Sequence, residues 1–227
     1  MITEKSLKRN NNIRTYYENV YYKDCKKQQD FRRISNNLRA FEIRQGDKII
    51  DIGCGNGLSC AYLVKRGAKA FGIDISFKVL KVALQYDDIN VVQANAEYLP
   101  FKGSAFDGAI FMGTLEHFID PGKALNEVKR ALKPKAKVAF AVPNSNFSLF
   151  RFLEGTGQIH EVPRTLNGWK RLFAQHGFEI GRVYKDIGPN ICKGDILWGI
   201  LRKIIILIFN LLPLRYTYQF VFICRNK

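Results

Sequence analysis

Between Lys48 and Val142 short apolar runs alternate with segments whose apolar residues recur at helical spacing, and that alternation leaves few folds open. Strands are expected at residues 48–53 (KIIDIG), 68–74 (AKAFGID), 89–94 (INVVQA), 106–112 (FDGAIFM) and 136–142 (AKVAFAV). Most of these runs are apolar without period-two alternation, the mark of strands covered on both faces, so a parallel sheet with helices on each side is expected. LSCAYLVKRG, SFKVLKVALQY and PGKALNEVKRALK supply the intervening helices, with Ser76 and Asp120 at N-cap positions and Gly67 just past the end of the first. Right-handed crossovers then give a doubly wound α/β fold.

The flanks read differently. Residues 13–42 form a helical pattern whose apolar face carries Tyr16, Tyr17, Val20, Tyr21, Phe31, Ile34, Leu38 and Phe41. Residues 144–163 lack a period and read as a loop or small lid; residues 165–177 resume as a helix closed by Gly177, followed by strands at 178–186 and 217–225. The expected organisation is a helical cap over residues 1–45, a core over 46–146, and a lid with the α/β completion of the same domain over 147–227. Residues 196–212 are the most hydrophobic stretch, but Arg202 and Lys203 interrupt it and Pro213 follows, short of the roughly 20 residues a bilayer crossing needs. A helix packed on the sheet is the favoured reading, and an interfacial helix touching a membrane the other.

Composition bounds the partners. Net charge is +16, with 11 Lys+Arg against 5 acids in residues 1–45, 13 against 10 in 46–146 and 12 against 5 in 147–227, so the excess sits on the flanks. An anionic partner fits that distribution: a phosphate-bearing or lipid-linked substrate, an acidic membrane surface or nucleic acid; simple solubility accounts for it equally well. The polar, basic N-terminus has no apolar h-region, which makes the cytoplasm the expected compartment, with the inner membrane surface as an extension of it. Cys25, Cys54, Cys60, Cys192 and Cys224 form no C-x-x-C pair and are expected as free, mostly buried thiols, with no metal site.

The chemistry begins at DIGCGNG, residues 51–57. A strand ending in Asp51 and followed by Gly53, Gly55 and Gly57 lets the backbone turn tightly and meet a ligand without Cβ obstruction. The dinucleotide fingerprint needs a glycine where Leu58 stands, and Asp51 would repel a diphosphate but suits a cationic amine. Asp74 closes the next strand 23 residues later, where a carboxylate accepts hydrogen bonds from both ribose hydroxyls. The pair points to a positively charged nucleoside cofactor.

At these residues the sequence resembles the class I S-adenosylmethionine-dependent methyltransferases, in their small-molecule, type 11 branch. DIGCGNG is similar to the first motif of that family, GIDIS to its second, ANAEYLPF (94–101) to its adenine-binding segment, FDGAIFMGTLEHFIDP (106–121) to its fourth strand and following loop, and LKPKAKVAFAVPN to its fifth strand. The resemblance implies a Rossmann-like seven-stranded, mostly parallel sheet with the last strand antiparallel, and S-adenosyl-L-methionine as cofactor. It implies that Asp51, Gly53, Cys54, Gly55 and Gly57 hold the methionine end, Asp74 and Ile75 the ribose, and Asn95, Ala96 and Glu97 the adenine. Met112, Gly113, Thr114 and Leu115 would line the floor beneath the sulfonium. Packing is the competing reading for Cys54 and Met112. Two departures stand out: Asn95 replaces the usual aspartate, a weaker acceptor for the adenine amino group, and Lys135-Ala136 replaces paired glycines before the fifth strand.

Methyl transfer to oxygen needs a nucleophile placed beside the methyl group and a base for its proton. His117, at the carboxyl edge of the sheet, and His160, in the lid, are the candidate bases; His176, beside Gly177 at a helix end, reads as structural, and Trp169 as core. Tyr16, Tyr17, Tyr21 and Tyr22 are placed to close over the cofactor or to pack in the core. The acceptor expected from the resemblance is a small molecule, lipid or sugar, methylated at oxygen. An RNA or DNA methyltransferase and a non-catalytic cofactor-binding module are the alternatives, with no N-P-P-Y-type tetrapeptide for the first and an undamaged glycine turn against the second.

Overall fold

A computed structural model describes residues 11–21, 31–147, 161–186, 211 and 213–227. One sheet of seven strands organises them: β1 (Lys48–Ile52), β2 (Lys69–Asp74), β3 (Ile89–Gln93), β4 (Phe106–Met112), β5 (Leu132–Pro143), β6 (Phe178–Lys185) and β7 (Gln219–Asn226), in the spatial order β3-β2-β1-β4-β5-β7-β6. Neighbours from β3 to β5 pair in parallel, and β7 runs antiparallel to both β5 and β6. The chain builds outward from β1 in one direction, then returns to β4 on its other side. Between the carboxyl ends of β1 and β4 this reversal opens the crevice where ligands of doubly wound sheets sit.

Helices α1 (Phe31–Asn37), α2 (Leu58–Lys65), α3 (Phe77–Ala83), α4 (Pro121–Ala131) and α5 (Leu166–Gln175) cover the faces. Their starts follow the chain's own capping residues. Ser76 Oγ accepts from Val79 N at 3.5 Å, Asp120 Oδ1 from Lys123 N at 2.9 Å with Pro121 opening the helix behind it, and Thr165 Oγ1 from Gly168 N at 3.1 Å. One face of the sheet buries the aromatic series Phe111, Phe140, Phe173 and Trp169. Phe111 stacks on Phe140 at 4.8 Å between centroids and Phe140 on Phe173 at 4.2 Å. The other face packs Ile34, Leu38 and Phe41 against Ile49, Tyr62 and Leu63. Trp169 is core, and its indole N–H donates to the Pro143 carbonyl at 2.8 Å.

The fifth strand begins earlier than its pattern suggests. The helix expected through residue 133 ends at Ala131, and β5 starts at Leu132 with an irregularity, pairing Phe106 with Leu132 but Gly108 with Lys137. Lys135 absorbs the extra length at φ +61°, in the left-handed region that favours glycine.

The N-terminal pattern is also less uniform than expected. Residues 11–16 are α-helical, Tyr17–Tyr21 form a π-type turn, and α1 ends at Asn37. Ile34, Leu38 and Phe41 are buried, but Val20 and Phe31 are exposed, so the apolar face is only partly inward. Cys54, Cys60 and Cys224 are buried free thiols. Cys25, Cys192, Tyr22, His160 and most of the lid and of residues 196–212 lie outside the described residues. Among the described residues no helix is long and apolar enough to cross a membrane, and no cluster of three or more His, Cys, Asp or Glu could hold a metal ion.

Candidate active site

The glycine turn is sewn to the end of β2. Gly53 N and Cys54 N both donate to the Ile73 carbonyl at 2.8 Å, and Gly55 N donates to Asp74 Oδ2 at 3.0 Å. Gly53, Gly55 and Gly57 all sit at positive φ (72°, 53° and 80°). At Gly53 a Cβ would meet Thr114 Cγ2 at 2.6 Å, and at Gly57 it would meet Ala83 Cβ at 2.8 Å, so backbone conformation and close approach together require glycine there. Thr114 in turn donates its hydroxyl to the Ile52 carbonyl at 2.8 Å, fastening the loop after β4 to the turn after β1.

A pocket opens over this junction. From the residues singled out in the sequence it brings together Gly53, Asp74, Ile75, Asn95, Ala96, Glu97, Gly113, Thr114 and His117. Asp51, Cys54, Gly55, Gly57, Met112 and Leu115 fall outside its lining. Cys54, Met112 and Leu115 are packed in the core, and the Cys54 thiol, pushed up by its hydrogen bond with Cys60 and by burial, stays neutral. The lining adds Ile13, Tyr17, Phe118 and Ile119, which the motifs did not single out as site residues, apart from Tyr17. Phe118 and Ile119 continue the LEH loop and carried that positional signal. Tyr17 comes from the N-terminal segment, which docks through Glu18 Oε1 accepting from Phe77 N at 3.1 Å. His176 takes the structural place expected of it, its Nδ1 lying 2.8 Å from Asn126 Oδ1 between α4 and α5.

Two carboxyls dominate the electrostatics. Asp74 is buried, and each of its oxygens accepts a backbone N–H, Oδ2 from Gly55 and Oδ1 from Ser76 at 2.9 Å. Burial pushes its pKa up to about 6 against the pull of these amides. Asp51 lies just behind the glycine turn, and burial raises it further, to about 8, with the Cys60 thiol at 3.7 Å as a weak donor and the Asp74 charge adding to the rise. Its Oδ1 has no hydrogen-bond partner among the described residues.

Both acids hold protons to higher pH folded than unfolded, where aspartate titrates near 3.9. Their contribution to stability is therefore complete below pH ~4 and is lost as pH rises through about 6 and about 8. The empty protein is expected to melt lower at pH 9 than at pH 5, and Asp51→Asn to flatten that dependence; a melting curve indifferent to pH in both proteins would remove Asp51 from the account.

The adenine-side loop is self-braced. Asn95 Oδ1 accepts from Glu97 N at 2.9 Å, leaving that oxygen one lone pair for a ligand, and Glu97 Oε1 accepts from Asp120 N at 3.1 Å at the start of α4. His117 is buried at the pocket wall with Nε2 3.8 Å from Glu116 Oε1.

The residues therefore fit a cationic nucleoside: a side-chain-free approach at Gly53 and Gly113, an orphaned buried carboxylate oxygen on Asp51, and Asp74 at a strand end. Residues 50–140 match the methyltransferase domain family. This stretch belongs to the class I S-adenosylmethionine-dependent methyltransferases. The methyltransferase fold extends beyond it: a chain from the complex between the Haloferax volcanii Trm112 methyltransferase activator and its methyltransferase partner matches with TM-score 0.75 at 17% identity, covering 94% of this chain and 97% of that one. A Methanocaldococcus jannaschii protein described as uncharacterized is 38% identical over 135 residues, 58% of this chain and 52% of that one. The ubiquinone biosynthesis O-methyltransferase of Paracidovorax citrulli is 34% identical over 117 residues, 47% of this chain and 48% of that one. The chain spans about half the length of these two curated relatives. S-adenosylmethionine is the cofactor of this methyltransferase family.

Proposed function

We propose that the protein transfers a methyl group from S-adenosylmethionine to an oxygen of a small-molecule or lipid-linked acceptor. The observation that carries this reading is the convergence of Gly53, Asp74, Asn95–Glu97, Gly113 and His117 on one pocket at the carboxyl rim of the sheet. Bound there, the cofactor supplies an electrophilic methyl group on a positively charged sulfur. In this reading Asp74 holds the ribose diol, the 95–97 loop the adenine, and the glycine turn, with Asp51 behind it, the methionine end. Tyr17 and Ile13 exclude water from above, which strengthens the attraction between Asp74 and the cation, and the cation's charge in turn favours the ionised form of Asp51. His117 accepts the proton of the acceptor hydroxyl as the new carbon–oxygen bond forms. The ubiquinone O-methyltransferase relative supports oxygen as the acceptor atom.

A transfer assay with tritiated methyl donor, screened against pooled metabolites, lipids and RNA, tests the reading; label appearing in RNA with steep salt dependence would replace it with a nucleic-acid activity. The structural likeness to a chain that works with an activator argues for running the screen with and without purified Trm112. With the acceptor in hand, His117→Ala is expected to slow turnover about 100-fold while S-adenosylmethionine affinity stays within a few-fold. Unchanged turnover would return His117 to a purely structural place.

A further inference from the structure

A second cavity of about 180 Å³ abuts the cofactor pocket, sharing Phe118 and Ile119 as a common wall. The Leu115–Ile119 segment is thus a partition, with His117 lining the cofactor side and Leu115 the other. The second cavity mixes apolar and polar lining: the buried Trp169 floors it, Pro121 and the exposed Val162 edge it, and its wall holds one cation, Arg164, and one acid, Glu116. The Arg164 guanidinium carbon stands 5.6 Å from the centre of the Trp169 ring. Among the described residues Arg164 makes no ion pair and no side-chain hydrogen bond, although ion pairs are made by Arg33 and Arg130. Glu116 lines this cavity and not the cofactor pocket; its Oε1 lies 3.8 Å from His117 Nε2, and no ion pair joins it to Arg164.

A guanidinium resting on an aromatic face keeps its N–H edge available, and that edge matches two oxygens of a carboxylate or phosphate at once. A cavity of this size holds one aromatic ring or the end of a short acyl chain. We propose that this cavity is the acceptor site and that Arg164 selects acceptors carrying a carboxylate or phosphate on an apolar body, with the reacting oxygen presented past Phe118 toward His117. The inference rests on the methyltransferase reading above and deepens it: the positive charge of the chain then concentrates such acceptors at the surface, and Arg164 gives the charge a place to end.

Calorimetry tests it in three steps. S-adenosylmethionine is titrated first, and failure there counts against the methyltransferase reading alone. The full chain is then titrated, with and without that cofactor, with 4-propylbenzoate, 4-propylphenyl phosphate and the neutral 4-propylbenzyl alcohol. At least one anion is expected to bind about 10-fold or more tightly than the alcohol, and which of the two wins identifies the acceptor's anionic group. Arg164→Gln, which retains the aliphatic stem packed over Gly168, is expected to erase the preference without changing affinity for the alcohol or for S-adenosylmethionine, and Arg164→Lys to restore part of it. Equal binding of acid and alcohol, or a preference that survives Arg164→Gln, would overturn the assignment.

Discussion

Asp74→Ala is expected to weaken S-adenosylmethionine binding several hundred-fold at pH 8. Two hydroxyl donors to one carboxylate are worth about 1.5–3 kcal/mol each, so their joint loss amounts to roughly 3–6 kcal/mol, and several hundred-fold is its lower part. The measurement belongs at pH 8, because burial holds the Asp74 carboxyl at about 6 and only the ionised form accepts from both hydroxyls. The same residue anchors Gly55 N and Ser76 N, so alanine also loosens the glycine turn and the start of α3. Asp74→Asn separates the two effects: it keeps a carbonyl oxygen for one amide and loses the charge, and is expected to sit between wild type and alanine. Calorimetry reads the affinity and a melting curve confirms that the variant is folded. An affinity for S-adenosylmethionine unmoved by alanine would place the ribose elsewhere and undo the site.

Asp74 was legible because three signals coincide on it: an apolar strand, a carboxylate at its end and a glycine turn one strand earlier. The alternation of apolar runs with helical spacing likewise made the parallel strands β1 to β5 legible, as were the capping residues Ser76 and Asp120, whose action is local. Legibility failed where contacts are made across the chain. Tyr17 belongs to an aromatic helical pattern that looks alike whether it roofs a ligand or joins a core, and only the folded position distinguishes the two. Ile13 had no signal at all. Lys135 showed in sequence only as a departure from paired glycines; its φ of +61° is not asked for by anything local to lysine, and the demand comes from pairing β5 with β4 on one side and β7 on the other. Arg164 likewise appears as one more cation in a basic flank until the fold sets it over Trp169 in the wall of the second cavity.

The longest such contact sets the second large effect. Arg33 Nε donates to Asp186 Oδ2 at 2.8 Å and Nη2 donates to Gln219 Oε1 at 2.9 Å, linking α1 to the ends of β6 and β7 across 153 and 186 residues of sequence. The Asp186 side chain is fully buried and that of Arg33 is 20% exposed, so removing the arginine takes a charged partner from a carboxylate held away from water. Arg33→Ala is therefore expected to cost about 3 kcal/mol of stability, well above the 0–1 kcal/mol of a surface pair. Urea unfolding measures it, and a loss under 1 kcal/mol would mean that solvent reaches Asp186. Arg33→Lys keeps the charge but cannot reach both acceptors, and should fall between. Pairing Arg33→Ala with Asp186→Asn ought to recover part of the loss, because the buried charge goes with its partner. The consequence reaches the site as well: Gln219 Nε2 lies 3.8 Å from where a Cβ of Gly113 would project, so the latch ends directly at the pocket floor. Loss of Arg33 frees Gln219 beside Gly113, so the same variant should bind S-adenosylmethionine more weakly even where it remains folded.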